Sequence, residues 1–432
     1  MKYYSTNKQS PLADFKKATI LGQAPDKGLY FPEMIPQVRV ELIDQIEDFS
    51  NEEIAFTIIK PYIGGTIADE ILYEIITETI NFPIPLVQVN ESMFSLELFH
   101  GPTLAFKDVG ARFMSRCLGY FVKDDDKKLT VLVATSGDTG GAVANGFYDV
   151  DGIEVVILYP SGKVSLVQEK QLTTPGKNIH ALEVAGTFDD CQQMVKQAFA
   201  DEEINKKIFL TSANSINVAR WLPQQFYYFF AYKEWKYKDQ LPVISVPSGN
   251  FGNICAGLLA QQSGLPVEHF IAACNANDVI PKYMKTENYQ SQKATPTLSN
   301  AMDVGNPSNF VRILEIFNHQ FPELKDRLTS YSISDEETIA TIKKVFEQFD
   351  YTLDPHGAVG YLSLEQYLEN DPNQKGIFLE TAHPIKFPEI IEQITGKTLP
   401  VPSSVIHLMD KEKQSISIKN NYAQLKEWLL KK

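Results

Sequence analysis

The sequence has little that suggests a disulfide framework, a metal site or a membrane protein. Its 432 residues include only four cysteines, and no two of them form a CxxC pair or a Cys/His spacing. Such usage fits a reducing compartment without structural zinc. No apolar run approaches the roughly 18 residues that a membrane-spanning helix needs, and MKYYSTNKQSPLADF lacks the apolar centre of a signal peptide. We therefore expect a cytoplasmic protein with no metal and no membrane partner.

Positive charge is also scarce. The chain carries 40 Lys and Arg against 54 Asp and Glu, which leaves a formal net charge of −14. Because surplus negative charge repels phosphate backbones and anionic lipid surfaces, neither nucleic acid nor a membrane is expected as a partner. A small anionic substrate would need a local cationic pocket that outweighs this field. The composition, 44% hydrophobic and 22% charged, is that of a globular protein, and the length suits two or three domains.

Short apolar runs alternate with helical patterns over most of the chain. The first eighty residues read mainly as helices, including 51–60 and 66–80. From about residue 81, apolar runs predict strands over 129–134, 154–158, 180–184, 243–246, 270–274 and 376–379. Helical patterns follow over 187–204, 215–236, 253–263, 334–349, 357–369 and 388–395, and the charged segment 123–128 is interpreted as a turn. Apolar strands separated by helices indicate an α/β fold with parallel sheets covered on both faces.

Two glycine-bearing segments lie where a predicted strand meets a predicted helix, which is where α/β sheets place ligands. The segment VPSGNFGN at 246–253 could offer backbone amides and a helix dipole to a phosphate. It is neither GxGxxG nor GxxxxGK[ST], which argues against dinucleotides and nucleoside triphosphates. The segment TSGDTGG at 135–141 offers hydroxyls and free amides that suit a carboxylate. Each segment could also be an ordinary capped helix start.

Three further segments carry ionisable side chains. Lys107 follows a Gly-Pro turn in apolar surroundings, where burial would lower the pKa of its amine and make it a better nucleophile. The alternative is an exposed lysine paired with Asp108. Arg220, at the head of the helical pattern NSINVAR, could bind a phosphate or could lie on the surface. His383 has no spaced Ser, Asp or metal partner and is interpreted as structural or pocket-lining.

Taken in order, these segments resemble threonine synthases, which are pyridoxal-phosphate enzymes of the tryptophan-synthase-β fold class, fold type II. The resemblance spans nearly the whole chain, through MKYYST, APDKGLYFP, HGPTLAFKD, TSGDTGGAVANGF, YPSGKVSLVQEKQL, SANSINVARWLPQ, PSGNFGN, NAMDVGNPSNF, DPHGAVGY and ETAHPIKF. The SGDTG loop is similar to that of the longer branch of the family. The resemblance implies a helical N-terminal domain over 1–80, a large cofactor-binding α/β domain from 81–100 and 214–432, and a small α/β domain over 101–213.

The resemblance also implies roles for individual residues. Lys107 matches the lysine that forms the Schiff base with pyridoxal 5'-phosphate, and Thr381 matches the hydroxyl residue that faces the pyridine nitrogen. The cradle for the cofactor phosphate matches Ser248, Gly249, Asn250, Phe251, Gly252 and Asn253. The loop that grips the substrate carboxylate matches Ser136, Gly137, Asp138, Thr139 and Gly140. The positions expected to hold the substrate phosphate match Lys163, Ser215, Asn217 and Arg220. An ionised Asp138, unlike an asparagine, cannot donate a hydrogen bond to the cofactor phenolate.

The reaction implied by the resemblance converts O-phospho-L-homoserine and water to L-threonine and phosphate, the last step of threonine biosynthesis. The cofactor would be the electron sink, and the freed Lys107 would act as a base near the Cα proton. Two alternatives stay open: a related lyase that releases 2-oxobutanoate, and a non-catalytic module that keeps the fold to bind a ligand. Threonine dehydratases share the fold, but the phosphate-type residues Lys163, Ser215 and Arg220 disfavour them. We expect a monomer or homodimer whose small domain closes onto the substrate.

Overall fold

The computed structural model describes residues 1–123 and 128–431, so most of the turn predicted over 123–128 lies outside the described residues. The strands are β1 (Tyr3–Ser5), β2 (Tyr30–Pro32), β3 (Leu86–Gln88), β4 (Met93–Glu97), β5 (Leu129–Ala134), β6 (Ile153–Pro160), β7 (Ile179–Ala185), β8 (Phe209–Thr211), β9 (Val243–Pro247), β10 (His269–Cys274), β11 (Leu328–Ser332), β12 (Gly376–Glu380) and β13 (Ser415–Lys419).

The helices cover both sheets and form most of the N-terminal region. They are α1 (Phe15–Leu21), α2 (Val40–Asp44), α3 (Asn51–Ile63), α4 (Asp69–Thr79), α5 (Lys107–Val122), α6 (Asp138–Gly146), α7 (Leu166–Thr173), α8 (Phe188–Ala200), α9 (Glu202–Lys207), α10 (Val218–Trp221), α11 (Gln225–Glu234), α12 (Gly252–Gln262), α13 (Val279–Thr286), α14 (Phe310–Ile316), α15 (Phe321–Arg327), α16 (Asp335–Phe349), α17 (Pro355–Leu368), α18 (Pro388–Thr395), α19 (Ser403–Met409) and α20 (Tyr422–Lys431). None of these described helices is both long enough and apolar enough to cross a membrane.

The N-terminal region is mainly helical, as predicted, with one small sheet added. Helix α3 begins with a capping box, in which the Ser50 hydroxyl accepts from the Glu53 backbone N–H at 3.1 Å and the Glu53 carboxylate accepts from the Ser50 N–H at 2.7 Å. Strands β1 and β2 pair antiparallel. The apolar faces of these elements belong to the same buried core as the sheets that follow, so the region packs directly on them.

The larger sheet has six strands in the order β11-β10-β9-β12-β4-β3. All neighbours are parallel except β3 and β4, which confirms the expected parallel architecture apart from one antiparallel edge. Strands β9 and β12 are neighbours in the middle of the sheet. The segments that leave their carboxyl ends, 248–253 and 381–387, therefore emerge at the same edge, which is where such sheets bind ligands.

The smaller sheet has five parallel strands in the order β13-β7-β6-β5-β8. Its edge strand β13 comes from the C-terminal part of the chain, which corrects one expected domain boundary. The resemblance placed all of 214–432 in the large domain, but β13 pairs with β7. The reason is apolar packing, because Leu425 and Leu429 of α20 are buried in one core with residues of β7 and α8. The other proposed domain boundaries stay a prediction.

Two predicted helices are each divided in the structure. The pattern over 215–236 gives α10, a 3₁₀ turn at Leu222–Gln224 and α11, because Pro223 has no backbone N–H to continue the α-helical bonding. The pattern over 187–204 divides at Asp201, whose side chain accepts from the N–H groups of Glu203 and Ile204 and so starts α9.

Candidate active site

Lys107 is the first residue of α5 and is fixed against the end of strand β12. The N–H of the preceding residue, Phe106, donates to the Thr381 carbonyl at 2.9 Å. The Tyr227 hydroxyl donates to the Phe106 carbonyl. These bonds to the N–H and the carbonyl of Phe106 hold the start of α5 at the ligand-binding edge of the larger sheet.

The Lys107 amine faces a buried carboxylate that belongs to the other sheet. Its Nζ lies 3.8 Å from Oδ2 of Asp138, the first residue of α6. The other oxygen, Oδ1, is 2.7 Å from Nζ of Lys386 and accepts from Nε2 of Gln168 at 3.0 Å. The Asp138 carboxylate therefore binds two lysines from different parts of the chain.

Burial and neighbouring charge together set the protonation of these groups. Burial lowers the pKa of Lys107, the Asp138 carboxylate acts to raise it, and Lys386 and Arg220 act to lower it further. Burial acts to raise the pKa of Asp138, but Lys386 and Lys107 outweigh that effect and hold it well below its usual range. Asp138 is therefore ionised and cannot donate a hydrogen bond, while Lys107 loses its proton more readily than an exposed lysine.

Asp108 and His383, whose roles the sequence left open, each have a hydrogen-bond partner close by in the chain. Asp108 does not pair with Lys107; its buried carboxyl accepts from the Thr103 backbone N–H at 2.9 Å and from the Thr103 hydroxyl. Burial raises the pKa of Asp108. The His383 Nδ1 accepts from the Ile385 N–H at 3.1 Å, and burial lowers the pKa of His383 to about 4. A neutral histidine bound to its own turn fits the structural interpretation.

The turn at 248–253 presents a row of backbone donors between β9 and α12. Within the described chain, the N–H groups of 249–253 donate to no other group. Position 249 requires glycine for steric reasons, because a Cβ there would lie only 2.6 Å from the Met302 Cα. Phe251 has the left-handed φ of +62° and starts α12 without a side-chain cap. Free N–H groups at a helix N-terminus form an anion site.

Ser215 and Asn250 connect this turn to the segment before α10. The Ser215 hydroxyl accepts from the Asn250 side-chain amide at 2.8 Å and from that of Asn309 at 3.1 Å. Ser215 thus lies beside the turn, and its phosphate-binding role stays a prediction.

Arg312 connects the segments around Ser215 and the 248–253 turn, and sequence reasoning missed it. It is fully buried in α14 and donates to the carbonyls of Tyr30, Ser215 and Ile216 and to the Asn309 side chain. Its guanidinium also lies 4.3 Å from the Trp221 ring centre. Arg312 therefore holds the N-terminal region, the 214–217 segment and the 248–253 turn in one arrangement.

The loop at 136–140 provides a second set of free donors, at the start of α6. The Thr135 hydroxyl accepts from the N–H groups of Gly137 and Gly140 at 3.0 and 2.9 Å, which fixes the loop. Gly137 has φ +138°, and a Cβ on it would lie 2.5 Å from Gln168. In the described residues, the hydroxyls and N–H groups of Ser136 and Thr139 make no hydrogen bond. Neutral donors in one concavity suit a carboxylate.

The remaining predicted phosphate ligands differ in position. Arg220 is buried against α5, where a Cβ added to Gly110 would lie 3.2 Å from the arginine Nε. This Nε is buried and has no hydrogen-bond partner in the described chain. Asn217 is buried and already bonded, accepting from the Ala219 N–H at 2.9 Å and donating to the Thr19 carbonyl at 2.8 Å. Lys163 is exposed, and its charge acts on Asp190. The structure thus brings Ser215 and Arg220 to the cleft but not Lys163.

Sequence reasoning missed Lys386, Gln168 and Arg312. Lys386 and Gln168 lie inside segments that carry the resemblance, ETAHPIKF and YPSGKVSLVQEKQL. A lysine in an apolar segment directly after a buried strand was the available signal for Lys386. Arg312 had no such signal, because its partners are distant in sequence.

Comparisons with known proteins identify the class of this fold and site. Residues 78–377 match the family model described as pyridoxal-phosphate dependent enzyme. Residues 2–80 match the model of the threonine synthase N terminus, and residues 357–429 match that of the threonine synthase C-terminal region. The chain is therefore a pyridoxal-phosphate-dependent enzyme of the α/β type.

Relatives and solved structures narrow the class to one family. The threonine synthase of Haemophilus influenzae is 44% identical over 436 residues, covering 100% of both chains. The crystal structure of threonine synthase from Escherichia coli superposes with a TM-score of 0.92 at 41% identity over 100% of both chains. The threonine synthase of Brucella melitensis, solved with PLP bound, gives a TM-score of 0.92 at 34% identity over 99% of this chain and 98% of that one. The chain belongs to the threonine synthase family.

Proposed function

We propose that the cleft between the two sheets binds pyridoxal phosphate and O-phospho-L-homoserine, and that the chain converts the latter and water to L-threonine and phosphate. The observation that carries this proposal is the position of Lys107. Its buried amine lies 3.8 Å from the carboxylate of Asp138, which begins α6 beside the smaller sheet, while the N–H of the preceding residue, Phe106, donates to the carbonyl of Thr381 at the end of β12 in the larger sheet. One reactive amine is thereby held between the 136–140 loop and the edge of the larger sheet at which the 248–253 turn also emerges.

The residues in this cleft fit the groups of the cofactor. The free N–H groups of 249–253 suit its phosphate, and the Lys107 amine suits its aldehyde. Thr381 is buried, and its hydroxyl has no partner in the described residues, so it can face the ring nitrogen. When bound, pyridoxal phosphate supplies an electron sink for negative charge that develops beside the substrate's α-carbon.

The protein's own groups bind the substrate at its two charged ends. The 136–140 loop offers Ser136 and Thr139 donors to the carboxylate. Arg220 offers an unpartnered Nε to the phosphate, and the nearby Ser215 hydroxyl offers a further polar contact. Burial lowers the pKa of Lys107, which makes its amine more available to accept a proton from a substrate carbon. Held at both ends, the substrate presents that carbon to the amine.

Three further predictions accompany this function. The small sheet closes onto bound substrate, the protein works in the cytoplasm, and it is a monomer or a homodimer. Closure is supported because the 136–140 loop follows a strand of the smaller sheet, whereas the 248–253 turn follows a strand of the larger sheet. The large domain is proposed to comprise 81–100 and 214–402, since β13 belongs to the smaller sheet.

Product analysis with O-phospho-L-homoserine tests the function. We expect the wild-type chain with pyridoxal phosphate to release threonine and phosphate in equal amounts. Lys107→Ala should lower the rate by at least about a hundredfold, because it removes the positioned base. Lys236→Ala is the matched control, since Lys236 is exposed. Release of 2-oxobutanoate instead of threonine would favour the related lyase, and full activity of Lys107→Ala would refute the assigned site.

A further inference from the structure

Lys386 is a buried cation for which the reaction described above has no role. It ends the 3₁₀ turn Pro384–Lys386, six residues after β12 of the larger sheet, and its side chain is fully buried. Its Nζ lies 2.7 Å from Oδ1 of Asp138, which begins α6 on the smaller sheet. A buried lysine is costly unless it is paired, so this ion pair across the cleft requires an explanation.

The geometry around Asp138 divides its two oxygens between two tasks. Oδ1 is occupied by Lys386 at 2.7 Å and by the Gln168 amide at 3.0 Å. Oδ2 faces Lys107 at 3.8 Å, which is longer than a hydrogen bond. Lys386 thus satisfies the carboxylate from one side and leaves the Lys107 amine in a looser ion pair, without a hydrogen bond to Asp138.

We propose that Lys386 is a positioning residue that acts on Lys107 through Asp138, by neutralising the carboxylate so that the Lys107 amine stays free to react. This inference rests on the proposed role of Lys107. Without Lys386, Lys107 would be the one remaining cation that acts strongly on the buried carboxylate. An unpaired buried charge is so unfavourable that the Lys107 ammonium would be drawn from its 3.8 Å contact into a closer, hydrogen-bonded ion pair with Asp138.

The charges that face Lys107 set the expected direction of the change. They are Asp138 from α6, Lys386 from the Pro384–Lys386 turn and Arg220 from α10. Lys386 disfavours the protonated form of Lys107 and also offsets part of the attraction of Asp138 for it. The pKa of Lys107 should therefore rise when Lys386 is removed. Removing the Asp138 carboxylate should have the opposite effect, because only cations then remain around the amine.

The test follows the capture of pyridoxal phosphate by the full-length chain freed of cofactor. The rate of the visible absorbance change on adding the cofactor is measured against pH, and its midpoint reports the Lys107 amine. Lys386→Met should move the midpoint upward by about one pH unit, which makes capture about tenfold slower below the midpoint. Lys386→Arg should stay near wild type because it keeps the charge. Lys236→Met, at an exposed lysine, is the matched control.

Two variants separate this role from a structural one. The double variant Lys386→Met with Asp138→Asn should return the midpoint toward wild type, whereas damage to packing would persist or grow. Asp138→Asn alone should move the midpoint downward, which keeps the inference testable if Lys386→Met does not fold. An unchanged midpoint in Lys386→Met, or an upward shift in Asp138→Asn, would overturn it. If Lys107→Ala still gave the absorbance change, the proposed function itself would fail instead.

Discussion

At the scale of single residues, buried cations have distinct tasks in a chain whose net charge is −14. Arg312 is fully bonded, and its donors reach carbonyls from separate segments. Arg220 donates to the Ala213 carbonyl at 2.5 Å but keeps a buried Nε without a partner in the described chain. Burial lowers the pKa of both arginines to about 10, so both stay charged at neutral pH. We infer that Arg312 supports the site and that Arg220 binds substrate.

Substituting the two arginines separates these tasks. Arg220→Met should raise KM for O-phospho-L-homoserine and lower kcat/KM by on the order of a hundredfold, since a charge-assisted hydrogen bond contributes about 1.5–3 kcal/mol. Affinity for pyridoxal phosphate should hardly change. Arg312→Met should instead lower the free energy of unfolding by about 3 kcal/mol, because it leaves buried carbonyls unsatisfied. Steady-state kinetics and urea unfolding check both; a large loss of cofactor affinity in Arg220→Met would reassign that residue.

The sequence predicts the individual site residues unevenly. Lys107, the 248–253 turn and the 136–140 loop each lie in a contiguous motif, so they could be proposed from the sequence. Each motif alone left a structural alternative open, and their order along the chain carried the resemblance that assigns them. Lys386 and Arg312 act through partners far away in the chain, such as Asp138 for the first and Tyr30 for the second. No local pattern encodes those contacts, because they arise only when the two sheets and the N-terminal region pack together.

At the scale of elements, the turn between β9 and α12 depends on the absence of one side chain. Gly249→Ala should place a Cβ 2.6 Å from the Met302 Cα, which is backbone and cannot simply rotate away. Overpacking costs about 1–3 kcal/mol, so we expect affinity for pyridoxal phosphate to fall by roughly five- to 150-fold. Spectroscopic titration with the cofactor measures this loss.

Gly119→Ala is the matched control for that turn. Gly119 lies within α5, and a Cβ there would meet no backbone atom but only Cγ1 of the partly buried Val150, at 3.0 Å, so that side chain must shift by a few tenths of an ångström. Alanine is also the better helix former, so stability and cofactor affinity should be kept. An equal loss of affinity in both variants would show that the 248–253 turn has no special part in cofactor binding.

Elements were predictable where apolar residues recur at the spacing of a strand or of a helix face. The strand predicted over 129–134 matches β5, whose residues are all buried, and the helix predicted over 388–395 matches α18, in which Ile391 is buried and Ile390 and Ile394 are partly buried against the same core. Strand β13, SISIK, was missed because it lies at an edge and most of its side chains are partly or fully exposed. Its pairing with β7 is decided by the packing of α20 behind it rather than by its own hydrophobicity.

At the scale of the whole molecule, the chain passes between the two sheets more often than the resemblance implied. It leaves the larger sheet before α5, returns after β8, and crosses again between α18 and α19 to end on the smaller sheet. Lys413 holds this last segment through the carboxylates of Glu169 and Glu183, at 2.7 and 2.8 Å. The C-terminal segment is thus an integral part of the smaller sheet, and any closure of that sheet must carry it along.

The contribution of this C-terminal segment to stability can be measured with one buried leucine. Leu425 of α20 is fully buried in the core shared with β7 and α8. Leu425→Ala should therefore lower the free energy of unfolding by about 2–5 kcal/mol, through lost burial and the cavity left behind. Ile416→Ala in β13, where the side chain is 46% exposed, should cost far less. Urea unfolding compares the two; equal small losses would mean that the segment contributes little to the fold, and that 403–431 could move independently of the smaller sheet.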